Sequence, residues 1–564
     1  MKADYILTNG KIYKSNQACD IAEAVAIAGS EIICAGSIGE CEAFKDENTI
    51  VKDLKGRLVL PGLIDGHTHP ETIAKSRWRV TMPYMEDKEI LLNWIKEFCK
   101  SHPADEVPYI LALGYPATMF DENGPTKEEL DAYTDGRPVR IQDYTDHACW
   151  YNSKALELME ITKDIPDDKS AMPYFVRNDN GEPTGWCLEP IMNSGYEDRM
   201  FEKIGWYPPK EVTEETLAPF LNQLKSYGVI GIVDGFTDGE NGIKTFCEMD
   251  RSGRLNMYYD GMYRIISIKE LDEAIRTIRE WQNKYTTDHV RIHTIKLFLD
   301  QTNEMGTGAS LEPHRNDPEK KNYGHLNMDE DELTEVLTRL NDEKIDLHVH
   351  VVCDRAFRTA CNAYERAKAS AEVQGKPWNI FMELAHCELV HPDDMKRPAQ
   401  LGIILNWSCH WAGGYFGTAA IDYLGRERWD TMYDFRTFID SGAVVTYSSD
   451  VIGQDEEYRA DPYFGMEISA RRVDLTYPLE DEVCSGGVRT PVNAKLTVKE
   501  MVRGYTADGA IPLRREEQIG TIEAGKKANL VVLDKDIFEI PDTEIHTAKA
   551  EMVMFEGKVI CGEL

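Results

Sequence analysis

Apolar and polar positions divide the chain into three regions. From residue 1 to about 57, short apolar stretches alternate with turn residues. Tyr5-Ile6-Leu7-Thr8 runs into Asn9-Gly10 and then Lys11-Ile12-Tyr13, which predicts a tight hairpin. Ala24-Val25-Ala26-Ile27 meets a second turn at Ala28-Gly29-Ser30, followed by another apolar run from Glu31 to Gly36. The C-terminus repeats this texture in Ala528 to Leu533 and Met552 to Ile560. Two β-rich ends around a long middle predict one small β-sandwich built from residues 1–60 and 496–564, with residues 61–495 inserted into it.

In the middle, apolar runs alternate with amphipathic stretches. Gly231–Asp234, Ile292–Leu299, Ile345–Val352, Gly402–Leu405 and Ala443–Tyr447 read as strands, and Glu332–Leu340 and Ala356–Ala367 as helices. Repeated β-α units imply parallel strands with crossover helices, and this many predict a closed (β/α)8 TIM-like barrel in an α/β protein. A doubly wound open sheet is the alternative, but no GxGxxG or Walker loop supports it. Residues from about 75 to 210 are too long and too rich in Trp, Tyr and Pro for a simple β-α connection. They predict an insertion covering the active-site face.

Bulk properties narrow the function. At 564 residues the chain can bury a large core. Its net charge of −35 is spread along the chain and would repel nucleic acid and anionic membranes, so neither is an expected partner; a small-molecule substrate is expected, of which the charge says little. Thirteen cysteines without CxxC spacing fit a reducing compartment. Met1-Lys2-Ala3-Asp4-Tyr5 lacks a signal peptide's apolar region, and no later run is long enough to span a bilayer. The expectation is a cytoplasmic protein.

The chemistry centres on Leu58-Val59-Leu60-Pro61-Gly62-Leu63-Ile64-Asp65-Gly66-His67-Thr68-His69. Side chains alternate along a strand, so His67 and His69 point the same way at its C-terminal end. Two imidazoles converging there suit a divalent metal such as zinc. Further ligand-type residues end other strands: His348 and His350, His386, and Asp450 after Ser448-Ser449. Lys296 lies inside the apolar run Ile295 to Leu299, where a charge needs an explanation. Singly, each has an ordinary structural reading as a satisfied core histidine, a helix cap or a paired lysine. As an ordered series at successive strand ends they point to one site.

The same residues carry a resemblance to the amidohydrolase superfamily, specifically the amidohydrolase-3 branch of N-substituted formamide deformylase and YtcJ-like proteins. It extends from Thr8-Asn9-Gly10-Lys11-Ile12-Tyr13 through Pro61 to His69, Gly136-Arg137-Pro138-Val139, Asp146-His147 with Asn152 to Leu156, and His350 to Ala356. It continues through Tyr505-Thr506 to Gly520 to Asp534. The resemblance implies that His67, His69 and Asp450 bind one metal and His350 and His386 a second. It also matches Lys296 to the position that in many relatives carries CO2 as N6-carboxylysine and bridges two metals; a free ammonium cannot ligate a cation, so Lys296 either carries the carbamate or is a spectator. It favours His350 over His348, which would lie deeper. Ala385, Cys353 and Asn529 depart from the branch's usual acidic residue, glycine and aspartate.

The function expected on this basis is a metal-dependent hydrolase of a non-peptide C–N bond in an amide, formamide or cyclic amide, with one or two divalent ions, zinc first. Metal-activated hydroxide would attack the carbonyl, while Asp450 takes the water proton and returns it to the leaving nitrogen. Two clusters are candidates for substrate contact: Asp146, His147 and Trp150 in the insertion, and Trp407, His410 and Trp411 after the strand that follows His386. His147 or His410 would contact the carbonyl oxygen. A deaminase or ester hydrolase on the same scaffold is the alternative, and an inactive scaffold protein a more distant one. Dimers are common on this scaffold, so a homodimer is an expectation that nothing in the sequence fixes.

Overall fold

The computed structural model describes residues 2–563 except 84, 122, 166–172, 191–194 and 238. Eight parallel strands follow one another around a barrel: β1 (Leu63–Thr68), β2 (Val229–Asp234), β3 (Tyr258–Ile265), β4 (Val290–Phe298), β5 (Asp346–Val351), β6 (Met382–His386), β7 (Ile404–Ser408) and β8 (Val445–Ser448). β1, β2, β5, β6, β7 and β8 are buried along their whole length, as expected for strands covered on both faces. Helices such as Glu330–Glu343 and Asp354–Val373 form the outer layer, and both contain the helical stretches predicted for them. Among the described residues no helix is long and apolar enough to cross a membrane.

The seam between β8 and β1 closes at the C-terminal end. The Asp450 N–H donates to the His67 carbonyl (2.8 Å), and the His69 N–H to the Val451 carbonyl (3.2 Å). The Ser449 N–H donates to Asp65 Oδ1 (3.0 Å). Gly66 lies against this seam, where a Cβ would stand 2.6 Å from Asn406 Nδ2.

Both chain ends contribute to one eight-stranded sheet, in which Leu58–Pro61 pairs with Leu530–Leu533. Val25, Ile27, Val532, Met552 and Met554 share one apolar cluster of that sheet. Asn9-Gly10 does not form the expected hairpin. Tyr5–Tyr13 is one strand paired on both sides of that dipeptide with Ile21–Ala28, and the register shifts between Thr8 and Ile12. Asn9 takes φ 54°, and its side chain bonds Asp53 Oδ1 (2.8 Å), so the left-handed residue makes a bulge rather than a reversal. The turn at Gly29 does reverse the chain, joining Ile21–Ala28 to Glu31–Gly36. The helix Val498–Tyr505, placed by the boundary at 496 with the terminal sheet, instead packs on β8. A Cβ on Gly504 would sit 2.3 Å from the Tyr447 ring, so the helix belongs to the barrel's outer layer.

Between β1 and β2 a six-stranded sheet is inserted, in the order Tyr174–Arg177, Pro183–Leu188, Ala148–Tyr151, Val139–Asp143, Ile110–Tyr115 and Val80–Thr81. Apolar clusters cover it on two sides. Asn152 caps the helix Ser153–Met159 by accepting from the Ala155 N–H (3.0 Å) and also accepts from the Val139 N–H (3.0 Å), so the Gly136–Val139 and Asn152 motifs brace this sheet.

Two tryptophans expected at the substrate pocket are core residues instead. Trp150 is 0% exposed, donates to the Thr126 carbonyl (2.8 Å) and shares a cluster with Leu91, Ile95 and Ile141. Trp407 is 0% exposed and stacks on Phe435, with centroids 4.1 Å apart and planes at 6°. Alternation along β7 explains this. Asn406 faces inward to bond Thr446 Oγ1 (2.8 Å), so its neighbour Trp407 faces the helical layer. Trp407→Ala is therefore expected to destabilise the protein by about 3–5 kcal/mol in chemical denaturation, the usual range for emptying a buried aromatic site.

Candidate metal centre and active site

His67, His69 and Asp450 form a group of His/Cys/Asp/Glu side chains whose donor atoms all lie within 4.8 Å of one another. β1 supplies the two histidines on one face, and the seam places Asp450 beside them. Asp450 Oδ1 lies 3.2 Å from His69 Nε2 and 3.6 Å from His67 Nε2, and Oδ2 lies 3.4 Å from His386 Nδ1.

Hydrogen-bond chemistry sets which atoms face the site. The Glu383 carboxylate accepts from Thr446 Oγ1 (2.7 Å) and from His348 Nδ1 (2.8 Å). With its proton on Nδ1, His348 uses the Nε2 lone pair to accept from His67 Nδ1 (2.9 Å). His67 is left with a bare Nε2 pointing at Asp450, the form that binds a cation. Burial first, then the neighbouring Lys296 and histidines, holds the His67 pKa well below its ordinary value. His348 thus lies beneath the site as a positioning group.

Gly235, at the end of β2, tests whether a cation fits. A Cβ there would lie 2.7 Å from both His67 Nε2 and His69 Nε2, the volume between two lone pairs that a metal would share. Two imidazoles, a carboxylate and a glycine that leaves this volume open match the donor chemistry of a divalent ion.

Lys296, His350 and His386 adjoin this group. Lys296 Nζ is 3.3 Å from His67 Nε2, and burial pushes its amine down to about 7 against the opposing pull of Asp450 and Glu383. The His350 and His386 rings are 4.5 Å apart. His350 Nε2 lies 3.3 Å from the Gln301 carbonyl, which can only accept, so the lone pair of His350 is on Nδ1. His386 is paired in register with Val351, one place beyond the inward-facing pair His350–Ala385. Its φ of 75°, with 46° at Cys387, turns the chain so that the imidazole faces the cavity.

A cavity of about 330 Å³ opens above these groups, roofed by the insertion. The loop Tyr144-Thr145-Asp146-His147 joins Val139–Asp143 to Ala148–Tyr151 and reaches into it. Asp143 shapes the loop by accepting from Thr145 Oγ1 (2.6 Å) and the Ala148 N–H (2.9 Å), and Asp146 takes φ 59°. His147 Nδ1 is 2.5 Å from Glu189 Oε2, while Thr307 Oγ1 donates to Glu189 Oε1 (2.6 Å). Burial opposes the imidazolium, but the Glu189 charge and hydrogen bond outweigh it and raise His147 to about 9.

Asp146, His147 and Trp411 line the cavity together with the six metal-ligand candidates, and Trp411 stacks on His386 (5.2 Å, 16°). Trp150 and Trp407 are elsewhere in the core, and His410 is 2% exposed behind Trp411 and Tyr415 rather than at the surface of the cavity. Sequence reasoning missed Gly235, Glu189, Arg264, Glu304 and Glu388. Burial raises Glu304 to about 7, and burial together with the Glu304 charge holds Glu388 well above the usual carboxylate range. Asn303 Nδ2 donates to Glu388 Oε2 (3.0 Å). A signal existed for two of these: Gly235 follows a predicted strand, and Glu388 follows the His386 motif by two residues.

Comparison with known proteins supplies independent context. The chain is 23% identical over 568 residues to the putative amidohydrolase YtcJ of Bacillus subtilis (strain 168), covering 99% of each chain. It is 23% identical over 569 residues to the N-substituted formamide deformylase of Arthrobacter pascens, covering 98% of this chain and 97% of that one. Its fold matches the crystal structure of an uncharacterized metal-dependent hydrolase from Pyrococcus furiosus with a TM-score of 0.65 at 22% identity, over 95% of this chain and 100% of that chain. Residues 51–561 match the model of the Amidohydrolase family, and the chain is a member of that family.

Proposed function

We propose that this protein is a metal-dependent hydrolase that cleaves a non-peptide C–N bond (in an amide, formamide or cyclic amide) of a small molecule. The observation that carries the reading is the convergence of His67, His69 and Asp450 on the space left open by Gly235, at the floor of a roofed cavity. His67, His69 and Asp450 hold one divalent ion, zinc first by donor type. His350 and His386, with Lys296 as a carbamate, complete a second position. When bound, the metal polarises the carbonyl and lowers the pKa of water.

The chain's own groups do the rest. The uncharged Lys296 amine is the form that reacts with CO2, forming an N–C bond and releasing a proton, and its burial favours that form. Asp450 reaches both histidine pairs, so its carboxylate can take a proton from the attacking water and return it to the leaving nitrogen. Amide cleavage needs the second transfer because an amide anion leaves poorly. His147, held by Glu189, presents a proton to the carbonyl oxygen from the roof. The Trp411 ring on His386 shields the reacting centre from water.

The direct test offers metal-loaded protein a panel of formamides, amides and lactams and analyses the products. Carboxylate plus amine is the expected outcome; ammonia from an amidine substrate would move the reaction to deamination. Asp450→Asn should fold and lower turnover by about 10²–10⁴-fold; near-normal turnover would remove Asp450 from its proton-transfer role. His147→Gln should lower kcat by about 10²–10³-fold, with metal content per chain unchanged. Gly235→Ala puts a methyl group into the donor space and should abolish metal binding in a protein that still unfolds cooperatively. Full metal content in that variant would place the ion elsewhere.

A further inference from the structure

Among the arginines that face the cavity, Arg264 is set apart by its surroundings. Arg140 is committed to Glu197 Oε1 (2.8 Å) and Gln142 Oε1 (2.5 Å). Arg79 is half-buried and lies in the field of Asp146 and Glu197. Arg264 is half-buried at the end of β3, lines the cavity and has no hydrogen bond or ion pair among the described residues. Its position is nevertheless fixed. The guanidinium lies over the Phe236 ring at 4.8 Å, and Phe236 packs on His69 with centroids 5.0 Å apart. Its backbone is in register with Lys296 on the adjacent strand. Phe298 stands 6.1 Å from Phe236 and also lines the cavity. An idle cation on an aromatic floor, one ring away from a metal ligand, is a prepared seat for an anion with a flat apolar body.

We infer that Arg264 is a specificity-determining residue that binds a carboxylate of the substrate, whose aryl or similarly flat apolar portion rests on Phe236 and Phe298. The guanidinium offers a planar fork of donors that matches both carboxylate oxygens, and a charge-assisted pair is stronger at a half-buried cation than in bulk water. The chain's net charge of −35 does not prevent this, because exposed charges more than about 8 Å away are screened at physiological salt. The inference rests on the reading of this cavity as the hydrolase substrate site and narrows the substrate to an anionic amide.

The test has a binding arm and a turnover arm. Benzoate and benzyl alcohol are titrated by calorimetry into metal-loaded wild-type protein and into Arg264→Gln and Arg264→Lys. Benzoate is expected to bind wild type about 10–100-fold more tightly than benzyl alcohol. That ratio should fall to near one in Arg264→Gln and be intermediate in Arg264→Lys, which keeps the charge but loses the fork. Equal benzoate affinity in wild type and Arg264→Gln, or no benzoate binding to wild type, would overturn the inference. Should Arg264→Gln not fold, Arg264→Lys and the wild-type pair of probes decide. In the second arm, N-(4-carboxybenzyl)formamide should have a KM about 10–100-fold below that of N-benzylformamide in wild type only. Turnover of both formamides without charge preference keeps the hydrolase and removes the role of Arg264. Arg264-dependent benzoate binding with no formamide turned over keeps the anion seat and removes the formamide reading.

Discussion

The hydrogen bond from the Asp450 amide to the His67 carbonyl, 2.8 Å long, is the contact on which the site depends. It joins the last barrel strand to the first, and in doing so brings residues 383 positions apart in sequence into one donor group. Without the closure, β1 would still present His67 and His69 on one face, but no carboxylate would face them. The seam is reinforced by the Asp65 carboxylate, which accepts the Ser449 and His67 N–H groups at 3.0 and 3.3 Å, and by a glycine at residue 66 that lets β7 and β8 approach. Barrel closure and site assembly are therefore the same event.

Below the donor group, a polar chain of Thr446, Glu383 and His348 fixes the orientation and tautomer of His67. Above it, the insertion lowers His147 into the cavity on a loop braced by Asp143 and Glu189. Three of the groups that meet there, Asp146, His386 and Asp450, hold left-handed backbone conformations with φ of 59°, 75° and 52°. Such residues store of order 1–3 kcal/mol each and persist when their surroundings over-determine them. For His386 and Asp450 the surroundings are the barrel rim, where strand direction gives way to loop and a side chain can be re-aimed; for Asp146 they are the roof loop between two strands of the insertion.

Much of this was legible in the sequence because it depends on short periodicities. The His67-x-His69 pair follows from strand alternation, and the barrel from repeated β-α units. The failures share a physical cause: each depends on which side of an element faces which partner. Asn9-Gly10 has hairpin chemistry, but pairing on both sides makes it a bulge. Trp407 adjoins the site in sequence yet faces the helices, because Asn406 takes the inward position. Trp150 shares a strand with the roof loop but points to the insertion's own core. Gly235 carries no side chain to attract attention, and its meaning lies entirely in the two imidazoles beside it. Glu189 is tied to the cavity through a hydrogen bond to a histidine 42 positions away.

The central claim is that the convergence of His67, His69 and Asp450 holds a catalytic divalent metal. Elemental analysis of metal per chain, on protein purified without chelator, tests it most directly. The account predicts about one equivalent if only the His67–His69–Asp450 position fills, and about two if carbamylated Lys296 joins His350 and His386 in a second. No bound metal, with no uptake and no activity on adding zinc, manganese, cobalt or iron, would contradict it.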